Sequence, residues 1–341
     1  MTRPRRYAHI GLPKCASTSL QVSFFSNHSQ LFHLGSGFDG VTGSYIGRDV
    51  ARVVESDLRF KKDFLWQPQK VSEVFEKYVQ LAAERDGCRA VGLSSEFLGF
   101  TLGNEIDVAA KASRLRQVLG PDVSIVLVVR SQMDLLRSLY IEMIKGGYPG
   151  SYRNFLEYTV LYQDRNWCHD FCYDRLFELY SGLFGPEQVI VLPYEQLHAD
   201  QAGFLQALCE GLGVEPRGQA LAVKNTTPDL AEMELLRRFN EKWPHEFGSP
   251  FFQPFHATRL RAYFEDELGV RVPQERSVDD FMRGPLGEIA REKLGDGNNP
   301  PLDTLAPNAL QKRLEAIYGP ANRRLEKLLR LDLRKFDYPM G

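Results

Sequence analysis

The stretch Val123–Val129, Val-Ser-Ile-Val-Leu-Val-Val, constrains the fold more than any other part of the chain. It is rich in β-branched residues and shows no regular alternation of apolar and polar side chains, so both of its faces must be covered. Strands of that kind belong to parallel sheets, because each parallel pair needs a crossover long enough to lay a helix on the sheet. Shorter runs at 7–11, 30–34, 89–94 and 189–192 read as further strands. Between them lie segments with apolar residues at helical spacing. One starts near Thr18 and buries Leu20, Phe24 and Phe25; a second, 69–85, carries Val71, Val74, Phe75, Tyr78, Leu81 and Ala82 on one side. Helices are also expected at 104–119, before Gly120-Pro121, at 132–145, before Gly146-Gly147, and at 199–212, before Gly213. This alternation predicts an α/β fold with a central, mainly parallel sheet. Beyond Pro228 the pattern is mainly helical, with loops around Gly248-Ser249-Pro250 and at 295–301. No internal repeat, low-complexity tract or clear linker interrupts the 341 residues. A single domain is therefore expected over 1–341, with a core over about 5–225 and a helical part over about 226–341.

Charge and cysteine usage narrow the function classes. The 42 Lys+Arg nearly cancel the 44 Asp+Glu, leaving a net charge of -2, which argues against a nucleic-acid partner but not against a local basic pocket. The longest apolar run, 125–129, is far shorter than the roughly 20 residues of a membrane span. Arg3, Arg5 and Arg6 precede an apolar stretch too short for a signal-peptide core, so a cytoplasmic protein is expected. Five scattered cysteines, Cys15, Cys88, Cys168, Cys172 and Cys209, suit free thiols in a reducing compartment. Cys168 and Cys172 would share a face of a helix as buried thiols; their spacing is not that of a zinc site and no second pair completes four ligands. No metal is expected. The aromatic-rich stretch 155–180 reads as core or as a substrate wall, and the basic run 323–335 as a solvated helix face.

The chemistry concentrates after the first strand, in Gly11-Leu12-Pro13-Lys14-Cys15-Ala16-Ser17-Thr18-Ser19-Leu20. A strand, a tight turn of small residues and a hydroxyl-rich helix start make an anion site, because unpaired amide N–H groups and the helix dipole both favour negative charge. Lys14 adds a mobile cation. The same residues also suit an ordinary helix cap built from Ser17 and Thr18, with Lys14 solvated. Spacing excludes sharper alternatives. A Walker A loop needs Gly-x4-Gly-Lys-Ser/Thr, and no Gly-Lys-Ser/Thr occurs here. A cysteine-phosphatase loop needs an Arg six residues after Cys15, where Gln21 stands. A nucleophile elbow needs a second glycine that Gly92-Leu93-Ser94-Ser95-Glu96 lacks.

The segment Pro13-Lys14-Cys15-Ala16-Ser17-Thr18-Ser19 resembles the 5′-phosphosulfate loop of the PAPS-dependent sulfotransferases, usually P-K-x-G-T-T-x-L, in a K-x-A-S-T-S variant found among carbohydrate sulfotransferases. A second motif of that family is similar to Arg130, at the end of the apolar strand, with Ser138 eight residues later and Tyr140 beyond it. Arg130 offers a planar donor fork suited to phosphate, and Ser138 a hydroxyl from the next helix; pairing of Arg130 with a nearby acid such as Asp134 is the plain alternative. Tyr194-Glu195-Gln196-Leu197 after the strand at 189–192 resembles a structural segment of the family, and the ending Phe336-Asp337-Tyr338-Pro339 resembles bacterial relatives. Lys224-Asn225-Thr226-Thr227 is similar to a late loop that closes over PAPS.

The resemblance implies a three-layer, P-loop NTPase-like sulfotransferase fold and transfer of a sulfuryl group from PAPS, without metal, to a hydroxyl or amine of a carbohydrate or small metabolite, releasing PAP. It implies Lys14, Cys15, Ala16, Ser17, Thr18 and Ser19 as the 5′ site, Arg130 and Ser138 as the 3′-phosphate site, and Lys224, Asn225 and Thr226 as a covering loop. Lys14 would stabilise the charge that develops on the leaving phosphate. The acceptor needs a general base, His or Glu in this family. Glu96 is the first candidate, because it lies just beyond a strand, where ligand sites of open α/β sheets gather. His33, near the end of the second strand, is the other; Ser94 and Ser95 would line the pocket. Two other functions stay open at this point: a nucleotide-dependent small-molecule kinase, and a PAP-binding protein without catalysis.

Overall fold

The computed structural model describes residues 3–36, 45–103, 105–216, 221, 229–242 and 301–341. Five strands, β1 (Arg5–His9), β2 (Leu31–Ser36), β3 (Ala90–Ser94), β4 (Val123–Val129) and β5 (Val189–Pro193), form one sheet in the order β2-β3-β1-β4-β5. Every pairing is parallel. All seven residues of β4 are buried, as their composition demanded.

The helices are α1 (Ser17–Ser19), continued by π-helical turns over Leu20–Phe25; α2 (Arg48–Arg52), continued over Val53–Asp57; α3 (Pro68–Glu84); α4 (Val108–Leu119); α5 (Gln132–Lys145); α6 (Tyr152–Leu161); α7 (Tyr173–Phe184); α8 (Tyr194–Ala199); α9 (Gln201–Leu212); α10 (Leu230–Lys242); and α11 (Asn308–Leu329). The crossover from β1 to β2 runs toward one edge of the sheet, and the next three crossovers run toward the other. Right-handed crossovers then put α1 on one face and α3, α4 and α7 on the opposite one. The packing agrees: α4 touches both α3 and α7, α7 lies on β4 and β5, and the continuation of α1 lies on β2. α9 also packs on β4 and β5, where Ser124 Oγ donates to the Gly211 carbonyl (3.0 Å). Because the chain leaves the neighbours β1 and β4 in opposite directions, their carboxyl ends flank a crevice at the topological switch point.

Several boundaries differ from those the sequence predicts, each for a local reason. The helix expected at 104–119 starts at Val108, because the Asp107 carboxylate accepts from the Ala110 N–H (2.8 Å) and caps it there. The helix expected at 199–212 starts at Gln201, because Asp200 caps it through the Gly203 N–H (2.9 Å), and the residues before it form the separate α8. Cys168 and Cys172 do not share a helix. A single 3-10 turn, His169–Phe171, separates them, and Cys172 sits at the start of α7. Both are free thiols, Cys168 buried and Cys172 half-buried. The aromatic stretch 155–180 supplies core: Phe155, Trp167, Phe171, Tyr173, Phe177 and Tyr180 are buried.

The chain forms two compact units. One comprises 1–135, 164–224 and 315–341 and contains the sheet; the other comprises 136–163 and 225–314. In the second, Tyr140, Tyr148, Tyr152 and Phe155 cluster with ring centroids 5.1–6.2 Å apart. There α10 holds the turn after α5: Asn240 Nδ2 donates to the Ile144 carbonyl (2.8 Å) and Arg237 Nη1 to that of Pro149 (2.8 Å). No helix among the described residues is long and apolar enough to cross a membrane.

Candidate functional site

The loop after β1 leaves the sheet in an uncommon backbone conformation. Lys14 and Ala16 both have φ of 61°, in the left-handed region, which costs a non-glycine residue on the order of 1 kcal/mol or more. Ala16 occupies the N-cap position of α1, and no side chain caps the helix. The cap from Ser17 and Thr18 that the sequence allowed does not form; Ser17 Oγ donates to the Leu12 carbonyl through a long 3.4 Å bond. Side chains alternate, with Cys15, Ser17 and Ser19 buried and Lys14, Ala16 and Thr18 partly exposed. Cys15 Sγ lies 3.5 Å from the Pro13 carbonyl oxygen. Burial pushes its thiol far up, so Cys15 is a neutral packing group.

Arg130 follows β4 directly and reaches this loop: its Nη1 donates to the Lys14 carbonyl (2.9 Å). Its guanidinium carbon lies 4.5 Å from the ring centroid of Tyr194, the residue after β5. Its Nε is buried and has no hydrogen-bond partner among the described residues. The backbone here is gripped from several sides. Tyr173 donates its hydroxyl to the Arg130 carbonyl (2.7 Å), and Glu195 Oε1 accepts from the Ser131 N–H (2.8 Å). The C-terminal segment closes the set: Tyr338 donates its hydroxyl to Glu195 Oε2 (2.9 Å), and Ser131 Oγ donates to the Asp337 carbonyl (3.0 Å). Arg130 is therefore held as a donor toward the loop, and the pairing with Asp134 allowed by the sequence is absent from the described ion pairs.

Glu96 opens a 3-10 turn, Glu96–Leu98, immediately beyond β3. That turn rests on the loop at Gly99, where a Cβ would lie 2.4 Å from the Gly11 carbonyl oxygen and 2.7 Å from that of Ile10. Glycine is the one residue that fits so close to backbone. Lys111, fully buried, ties the turn down by donating to the carbonyls of Phe97 (2.8 Å) and Phe100 (2.7 Å) and to Glu105 (2.5 Å). Arg59 Nε shares the Glu105 carboxylate (2.7 Å), and its guanidinium stacks 3.9 Å from the Phe97 centroid. Besides burial, the charges that act on Cys15 are those of Arg130, Glu195, Glu96 and Lys14. Four strand ends thus bring charged groups together around one loop.

His33 is elsewhere. β2 continues to Ser36, so His33 lies within the strand, in register with Gly92, and not at its end. Its Nδ1 is 2.9 Å from the Tyr7 hydroxyl, its ring stacks on Phe25 at 5.6 Å, and burial lowers its pKa to about 4. Ser94 and Ser95 are both buried at the end of β3. Ser138 is in the second turn of α5 and falls in the second compact unit. Lys224, Asn225 and Thr226 lie outside the described residues. Tyr173, Tyr194, Glu195 and Tyr338 escaped sequence reasoning as site residues, although Tyr194 and Glu195 follow a parallel strand directly, the same signal that marks Lys14 and Arg130. His9 escaped it too; it is buried at the end of β1, with Nδ1 2.6 Å from Ser94 Oγ. Among the described residues no group of three or more His, Cys, Asp or Glu is arranged to hold a metal ion.

A parallel sheet in this order, with a loop between β1 and α1 answered by an arginine after β4, defines a class of protein. The chain belongs to the sulfotransferase family, whose sequence model matches residues 47–217, half of its length. A search of curated proteins returned no match. Among solved structures, the chain is similar to a sulfotransferase from Alicyclobacillus acidocaldarius, with 16% identity over 98% of this chain and 99% of that one and a TM-score of 0.53. Also similar are the sulfotransferase domain of the Synechococcus olefin synthase (14% identity, 87% and 97% of the two chains, TM-score 0.38) and a mouse sulfotransferase complexed with PAP (13%, 86% and 89%, TM-score 0.36). The first of these supports the fold, a central parallel sheet flanked by helices.

Proposed function

We propose that this sulfotransferase-family chain uses PAPS as donor and transfers its sulfuryl group to a hydroxyl or amine of a carbohydrate or small metabolite, releasing PAP. The observation that carries the reading is the contact across the switch point. Arg130 Nη1 meets the Lys14 carbonyl at 2.9 Å while Arg130 Nε, buried, has no hydrogen-bond partner among the described residues. A polyanion fits this set: two cations, a strained loop with no side-chain cap, and that buried guanidinium donor.

The donor supplies an activated sulfur–oxygen bond to a phosphate. In this reading Lys14, with the amides of Ala16 to Ser19 and the hydroxyls of Ser17 and Thr18, stabilises the charge that grows on the phosphate oxygen as that bond breaks. Arg130, backed by Tyr194, Tyr173 and Glu195, holds the 3′-phosphate. Glu96 takes the proton from the acceptor oxygen or nitrogen as the new sulfur–oxygen or sulfur–nitrogen bond forms. It is preferred to His33, because His33 is engaged with Tyr7 inside an aromatic stack and, with a pKa lowered to about 4, is a weak base. The kinase alternative lacks the Gly-Lys-Ser/Thr spacing.

The test is transfer of labelled sulfate from PAPS to pooled glycans and metabolites. Lys14→Ala should abolish transfer with an unchanged melting temperature, since Ala16 already shows that alanine accepts the left-handed backbone of this loop. Transfer by Lys14→Ala at the wild-type rate would contradict the mechanism.

A further inference from the structure

His9, fully buried, ends β1 just before the loop. Gln21 Nε2, which can only donate, donates to Ser94 Oγ (2.9 Å). Ser94 Oγ lies 2.6 Å from His9 Nδ1 and, with one lone pair taken by Gln21, can direct its hydroxyl hydrogen to that nitrogen. Burial, with a smaller effect from His33, lowers the His9 pKa to about 3 and keeps the ring neutral. With Ser94 donating to Nδ1, the one ring proton is on Nε2. That Nε2 is buried and has no partner among the described residues.

The direction of the orphan is set by Gly11. A Cβ on Gly11 would lie 3.0 Å from His9 Cε1 and Nε2 and 3.1 Å from Ser17 Oγ. The imidazole edge and the serine hydroxyl thus face one small space that a side chain at Gly11 would fill. Ser17 is weakly committed, since its bond to the Leu12 carbonyl is 3.4 Å long.

We propose that His9 is a positioning residue of the loop: it donates its Nε2–H to Ser17 Oγ when the Ser17 hydroxyl swings from the Leu12 carbonyl to a phosphate oxygen of the bound nucleotide. This rests on the reading of the loop as the PAP site. The role is a relay of hydrogen bonds, Gln21 to Ser94, Ser94 to His9, His9 to Ser17, Ser17 to the anion. It explains why a neutral imidazole with one fixed tautomer stands at the end of β1. The His9 Nε2–H gains its acceptor only when Ser17 turns to the anion, which couples loop geometry to occupancy.

The experiment is a PAP titration of the full chain followed by imidazole nitrogen NMR, with the His9 signals assigned among the seven histidines through His9→Gln. The His9 ring should be a neutral Nε2–H tautomer before PAP is added, and its Nε2 proton should move downfield at saturation. In a double-mutant cycle, His9→Phe and Ser17→Ala should each weaken PAP affinity by roughly three- to tenfold, the worth of one hydrogen bond. The double variant should be no weaker than the worse single one, and His9→Gln, which keeps a donor, should recover part of the loss. An Nδ1–H tautomer, a His9 signal unmoved at saturating PAP, or additive losses would overturn the inference while the PAP site stands. Failure of the wild-type chain to bind PAP would overturn both.

Discussion

The lowered pKa values of His9 and His33 make acid stability a quantitative test of the site's interior. In an unfolded chain an imidazole takes a proton near 6.5, whereas His9 in the fold does so only at about 3. Between these values the unfolded state binds a proton that the folded state refuses, so stability falls as pH drops. At about pH 5 the unfolded chain is ahead by 1.5 logarithmic units, a loss of about 2 kcal/mol from His9 alone relative to pH 7. His33, lowered to about 4, adds in the same direction. Asp170 opposes both: burial raises it to about 6, so the fold retains a proton that the unfolded chain loses, and stability rises as pH falls through 6. Comparing the wild-type chain with His9→Phe cancels the other groups. Urea unfolding at about pH 7 and about pH 5 should show an acid-induced loss that is smaller in His9→Phe by about 2 kcal/mol. Equal losses in the two proteins would refute a neutral, desolvated His9, and with it the tautomer on which the relay depends.

Other perturbations test the supports of the loop. Gly99→Ala drives a Cβ to 2.4 Å from the Gly11 carbonyl oxygen, so it should shift the loop and weaken PAP binding more than tenfold, read by calorimetry; unchanged affinity would separate the turn after β3 from the site. Tyr338→Phe removes the donor to Glu195 Oε2 and should lower stability by about 1 kcal/mol in urea unfolding. Through Ser131 it should also weaken PAP binding, and a variant equal to wild type in both measurements would make the C-terminal segment irrelevant to Arg130.

The sequence made β4 and α5 legible at their true bounds, because a strand buried on both faces and an amphipathic helix between Arg130 and Gly146 leave no other periodicity. The rest depended on groups whose partners are distant. Asp107 and Asp200 set helix starts through single capping bonds that compete with continued helical periodicity. In the candidate site, the positions of Lys14, Arg130 and Glu96 just past parallel strands follow from one rule, that ligand sites of open α/β sheets gather there. Glu195 obeys the same rule, but its role depends on Tyr338, 143 residues away, and on the Ser131 amide. His9 is a further case: nothing in Ala-His-Ile-Gly declares its contact with Ser94, a residue that Gln21 holds from another element. His33 looks like a strand-end residue in the sequence, where the apolar run stops at Leu34; the continuation of β2 to Ser36 puts the imidazole inside the sheet.

The central claim is that the loop after β1 and the arginine after β4 form one binding site for PAP and its sulfated form. Calorimetric titration of PAP into the wild-type chain and into Arg130→Ala tests it most directly. The wild-type chain should bind one PAP per chain without added metal, and Arg130→Ala should bind at least tenfold more weakly, the cost of a charge-assisted contact. Equal affinity in the two proteins, or binding of ATP with magnesium but not of PAP, would contradict the account.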